Sequence, residues 1–129
     1  MIYRVKNWNE FYEKAQTRKC KEMKWVAVPN KLDGAGYAIV AAHPRNCELF
    51  TAWILILEVA SKMPTRGLLF KDGKSVGPQD LSRRTRFPED IFNLAFLVLI
   101  EPDIGWLERV AGDGIIHDEK YAKDRILVE

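Results

Sequence analysis

Two cysteines, Cys20 and Cys47, are all that 129 residues contain, too few for the disulfide framework of a small secreted domain. Neither belongs to a CxxC pair, and no N-terminal pattern reads as a signal peptide, so both are expected as free thiols in a reducing cytoplasm. Cys47, near the start of an apolar stretch, reads as a small core residue. No run of ~20 apolar residues exists, which excludes a membrane-spanning helix. The richest stretch, residues 52–59, is interrupted by Glu58. Six prolines and eight glycines are scattered as punctuation, leaving neither a linker nor a repeat. At roughly 100–200 residues per domain the chain makes one domain, and 47% hydrophobic with 29% charged residues suits a packed globular core.

Catalytic constellations are equally thin. His43 and His117 are the two histidines. His117, Asp118 and Glu119 are metal-ligand types, but consecutive strand residues point to alternate sides and cannot converge. Ser61 lacks a GxSxG setting, and Gly34-Ala35-Gly36 is not followed by the Gly-Lys-Ser/Thr of a phosphate-binding loop. The expectation is a binding protein and not an enzyme, with no cofactor and no metal.

What is present is unevenly placed charge. The formal net charge is +2, but residues 1–31 and 62–86 each sum to +5, residues 32–61 and 87–100 each to −2, and residues 101–129 to −4. Two basic segments therefore face an acidic C-terminal stretch, which could fold back over them. Residues 1–24 read as a basic N-terminal arm with dispersed aromatics, residues 25–117 as the folded domain, and residues 118–129 as an acidic tail.

Within the domain, residues 25–28 enter a loop at Pro29, and residues 37–42 suit a short helix stopped by Pro44. Asn46 offers an N-cap for a long helix to about Met63. Leu49, Phe50, Trp53, Ile54, Leu57 and Ala60 follow helical spacing along it, and apolar residues fill the other side, which predicts a central helix. Residues 67–70 and the turn Lys71-Asp72-Gly73-Lys74 predict a strand and tight turn. A short helix from Pro78 follows, then a second from Pro88 to about Ile100. Residues 104–110 and 114–117 read as two strands joined through Ala111-Gly112-Asp113. Trp53 and Trp106 are expected to bury against each other or against Phe92 and Phe96.

Long helix, strand, short helix, helix and hairpin is the order of a winged helix-turn-helix, an α+β fold that is mainly α with a small β component. Over residues 25–110 the chain resembles the winged-helix N-terminal domain of phage and prophage replication initiator, or replisome organiser, proteins. The segments that carry the resemblance are Trp25-Val-Ala-Val-Pro-Asn-Lys, Asp33-Gly-Ala-Gly-Tyr37, Ala52-Trp53 with Val59-Ala-Ser-Lys62, Arg66-Gly67-Leu68, and Gly105-Trp106-Leu107. The resemblance implies a DNA-binding module in the cytoplasm of a bacterial host, acting in replication initiation or control of phage DNA. Relatives of this kind stand at the front of longer chains that bind an origin and recruit a helicase loader.

Phosphate neutralisation needs clustered cations, and the strongest cluster is Arg83, Arg84 and Arg86, with Lys71 and Lys74 on the preceding hairpin. Ser82 and Thr85 are candidates to donate to phosphates. Asn93 is the best base reader through its bidentate amide, and Arg109 on the wing could touch the flanking minor groove. The expected partner is double-stranded DNA, with replication proteins and a second copy of the chain as further partners and no membrane. Against this, the second helix opens with Glu89 and Asp90, whose charge opposes phosphate. A protein-docking winged helix is the alternative.

Overall fold

A computed structural model describes residues 1–13, 15–29 and 34–110. Its elements are β1 (Ile2–Val5), α1 (Trp8–Phe11), α2 (Ala15–Arg18), α3 (Ala35–Ala42), α4 (Asn46–Ala60), β2 (Phe70–Lys71), β3 (Lys74–Ser75), α5 (Pro78–Thr85), α6 (Glu89–Val98) and β4 (Leu107–Val110). The chain is a small α+β protein with two small antiparallel sheets. Among the described residues no helix is long and apolar enough to cross a membrane.

Helix α4 is the centre, as its composition predicts. Leu49, Ala52, Trp53, Ile56, Leu57 and Ala60 recur at three- and four-residue spacing and are all buried, the stripe a core-facing helix needs. α5 and α6 pack on α4 and on each other, and α3 packs on its first half. Phe92 on α6 and Leu81 on α5 are fully enclosed in this three-helix core. The long helix begins differently from the sequence expectation. Asn46 is the first helical residue and not the cap, its amide donating to Ala41 O at 2.8 Å, while Arg45 holds the capping position. His43 closes the preceding turn, Nδ1 accepting the Arg45 N–H at 2.9 Å. Cys47 is exposed, since it lies off the buried stripe, and it forms no disulfide among the described residues.

The Asp72-Gly73 dipeptide makes the tight turn foreseen for it. Both residues have positive φ, 54° and 76°, the pair of left-handed positions that a two-residue I′ hairpin demands, and Lys71 pairs with Lys74 across it. Strand β4 has a partner that the sequence reading did not foresee on one of its edges. It runs antiparallel to β1, with Ile2 opposite Val110 and Val5 opposite Leu107, whereas residues 114–117 lie outside the described residues. On its other edge β1 meets residues 67–69, through Val5 N–H to Gly67 O at 2.7 Å and Leu69 N–H to Tyr3 O at 2.9 Å. The N-terminal strand thus takes the middle place between β4 and the segment that follows α4.

This placement corrects the picture of residues 1–24 as an arm outside the domain. Ile2, Val5, Trp8 and Tyr12 are core residues, whereas Phe11 of the same polar, basic stretch is exposed. Trp8 donates from Nε1 to the buried Glu13 carboxylate at 2.8 Å, and Arg66 binds the other oxygen at 2.5 Å, so this interior charge is paired and hydrogen-bonded as burial requires. In the second half of the stretch Arg18, Lys19, Lys21 and Lys24 are exposed.

Burial pushes the Tyr12 phenol well above the usual tyrosine range. The folded chain keeps that proton while the unfolded chain releases it above about pH 10. The contribution is therefore complete below about pH 10, and stability falls above it by up to ~1.4 kcal/mol per pH unit. Urea midpoints measured from about pH 9 to 11 should show Tyr12→Phe losing this part of the alkaline decline. Parallel declines in the two proteins would assign it to another group.

Candidate nucleic-acid interface

The basic cluster sits on α5 and the turn that leaves it. Pro78 supplies a first helical residue with no amide to satisfy, and the Asp80 carboxylate accepts the Gly77 N–H at 3.2 Å. The Arg83 guanidinium and then the Gly77 amide hold the Asp80 carboxyl below its ordinary range. Leu81 is the single buried anchor of the helix, leaving its other faces to water. Arg83, Arg84 and Arg86 are all exposed. Arg83 is bound to Asp80 at 2.5 Å, which offsets its charge, while Arg84 and Arg86 form no ion pair among the described residues.

Ser82 and Thr85, singled out as phosphate donors, are committed to the turn itself. Ser82 Oγ donates to Phe87 O at 2.7 Å and Thr85 Oγ1 donates to Leu81 O at 2.8 Å. A hydroxyl has one hydrogen, so in this geometry neither has a donor left for a phosphate. Thr85 Oγ1 also accepts the Phe87 N–H at 3.3 Å. The two side chains fix the exit from α5 and thereby aim the arginines.

Arg86 ends the helix in the left-handed conformation, φ 66° and ψ 23°, with its N–H on Ser82 O at 2.8 Å. Glycine is the usual residue there because it lacks a Cβ. A long cation at this corner is thus held in a backbone position that does not favour it. The sequence marks Arg86 as part of the basic run near the end of the helix; its left-handed conformation comes from the observed dihedrals.

Helix α6 presents a different surface. Its outward face carries Glu89, Asn93 and Leu97 at four-residue spacing, with Asp90 beside them, and it has no cation. Asn93 Nδ2 lies 3.5 Å from Glu89 Oε2, a contact at the limit of a hydrogen bond. Asp90 is tied to Arg45, which also makes a two-pronged pair with Glu48 at 2.9 and 2.8 Å. This exposed network joins the starts of α4 and α6 and holds the Glu48 carboxyl below its ordinary range. Two carboxylates that looked like groove-facing obstacles thus have separate roles, one in a helix–helix tie and one on the open face.

Lys71 and Lys74 lie on the hairpin at the N-terminal end of α5, the former half-buried and the latter exposed. The arginines lie at the C-terminal end of this eight-residue helix, which is about 12 Å long. Arg109 is exposed on β4, opposite Tyr3, at the far side of the small sheet's central strand from the 67–69 segment. The structure therefore brings Arg84, Arg86 and the turn together, puts the lysines on the hairpin that precedes the other end of α5, and sets Asn93 on a neighbouring acidic helix face.

Among the described residues no three histidine, cysteine or carboxylate side chains converge as metal ligands; His117 lies outside those residues. Comparison with protein-family models, with curated proteins and with solved structures finds no match to this chain.

Proposed function

We propose that α4, the β2–β3 hairpin, α5 and α6 form a winged helix-turn-helix module of the phage replication initiator type that binds double-stranded DNA mainly through its phosphates. The observation that supports this most is the exposed pair Arg84 and Arg86 at the corner between α5 and α6, which form no ion pair among the described residues, one of them in a backbone conformation that suits glycine. Lys71 and Lys74 add cations on the hairpin that precedes α5, and Arg109 is the candidate for a flanking contact. Asn93 is the one side chain on the α6 face with the donor–acceptor pair to read a base edge. The acidity around it makes this a backbone-led binder with modest sequence preference. A module with so few free cations gains from pairing two copies on one duplex, and a replication protein such as a helicase loader is the partner the resemblance implies.

The test is fluorescence anisotropy of a labelled duplex titrated at several salt concentrations. Each phosphate contact contributes a slope of about 0.9 in log K against log salt, so Arg84→Ala/Arg86→Gly should lower the slope by about 2 and weaken binding uniformly across sequences. Glycine at position 86 relieves the left-handed backbone, so thermal stability should be unchanged or higher while affinity falls. No salt-dependent binding by the unaltered protein at low salt would overturn the reading.

The outward face of α6 favours a second reading, docking of a protein. Leu97 is 68% exposed beside Glu89, Asp90 and Asn93, a composition better suited to an apolar, basic protein surface than to phosphate.

A further inference from the structure

Away from the basic corner, residues 23–28 pass over α4 and leave a groove of about 330 Å³ between them. Residues 25–28 run without turn or bend, and Trp25, Val26, Ala27 and Val28 make no hydrogen bond among the described residues. Residues 25–28 belong to no strand or sheet among the described residues, and backbone N–H and C=O groups left without protein partners can pair with an extended segment laid beside them. Val26, Val28, Ile54 and Leu57 give the groove apolar walls, and Lys24 and Lys62 stand exposed at its rim against Glu58, the one carboxylate among its described lining residues. Trp25 is 84% exposed at the same rim, an aromatic surface of the kind enriched at protein contacts.

We infer that this groove is a strand-addition site for an extended segment of a partner protein in which aliphatic side chains alternate with carboxylates. The backbone of residues 25–28 supplies the main-chain hydrogen bonds, the apolar walls take alternate side chains, and the two lysines select the acidic flanks. The volume is at the lower end for ligand pockets and fits one or two aliphatic side chains better than a cofactor. The site is independent of the arginine corner, so the two can succeed or fail separately.

A library of random twelve-residue peptides displayed on phage, selected on the full chain, tests this. Selected peptides should be enriched in Asp and Glu around Val, Leu or Ile, and adding one as a synthetic peptide should shift the emission of exposed Trp25 to the blue. Trp8 and Trp53, 5% and 3% exposed, are already shielded and should not respond. Reversing the rim with Lys24→Glu/Lys62→Glu should weaken the selected peptide about tenfold, in line with two modest surface pairs lost and replaced by repulsion. Ala27→Pro removes one backbone donor at an exposed residue outside the groove walls and should also weaken it, with circular dichroism showing the fold intact. Failure to select any peptide, or selected peptides indifferent to both variants, overturns the inference. Sedimentation showing a dimer that Ala27→Pro abolishes would also overturn it, by assigning the edge to a second copy of the chain.

Discussion

Trp53→Ala should remove about 3–5 kcal/mol of folding stability, the range for truncating a large buried aromatic. The residue is 3% exposed in the middle of α4, and its ring meets Trp106 at 5.3 Å between centroids and the edge of Tyr12 at 5.9 Å. Those two partners come from opposite ends of the described chain, so the indole clamps the N-terminal segment and the approach to β4 onto the central helix. Aromatic pairs of this kind contribute about 0.5–1.5 kcal/mol beyond the area they bury. Against a whole-domain stability of ~5–15 kcal/mol, the loss leaves a protein that is marginal or unfolded. Urea denaturation followed by far-UV circular dichroism would measure it, with Trp53→Phe as the milder companion should the alanine variant not fold. A loss below about 1.5 kcal/mol for alanine would mean that the tryptophan is not central to the packing.

Gly67→Ala should cost about 3 kcal/mol through two separate effects. The residue has φ +91°, where a side chain costs roughly 1–2 kcal/mol. A Cβ there would also stand 2.6 Å from Trp8 Cγ, and relieving such overpacking costs about 1–3 kcal/mol more. The backbone cannot simply move aside. Gly67 N–H is bound to Ala60 O at 3.0 Å and Gly67 O accepts the Val5 N–H at 2.7 Å, so a shift would release both the end of α4 and the edge of β1. Trp8→Leu in the same chain should recover part of the steric share but none of the dihedral share, giving a non-additive cycle. A cost within about 0.5 kcal/mol, as for an ordinary surface change, would show that the tryptophan does not lie over the glycine.

The local elements were legible because each rests on neighbouring residues. The apolar spacing of residues 49–60 describes α4, the Asp72-Gly73 dipeptide describes the hairpin, and Pro78 and Pro88 mark where α5 and α6 begin. Burial of Trp53 against Trp106 followed from the size of the rings and the apolarity of the helix. The candidate site was legible only as composition. Arg83, Arg84 and Arg86 stand out as a run, but their differences depend on contacts and dihedrals. One is paired with Asp80, one is unpaired on the helix, and one sits at a left-handed corner.

By itself, then, the sequence determined an α+β chain with a central helix, a hairpin, two further helices and a basic corner, because periodicity, turn residues and charge act over a few positions. Tertiary structure alone decided the strand order, since β1 and β4 meet through residues such as Arg4 and Glu108, 104 positions apart. It also decided that Trp8 and Tyr12 belong to the core and that Glu13 is an interior charge. Each of these depends on which distant groups compete for the same hydrogen bond or the same buried volume, and that competition exists only once the chain is folded.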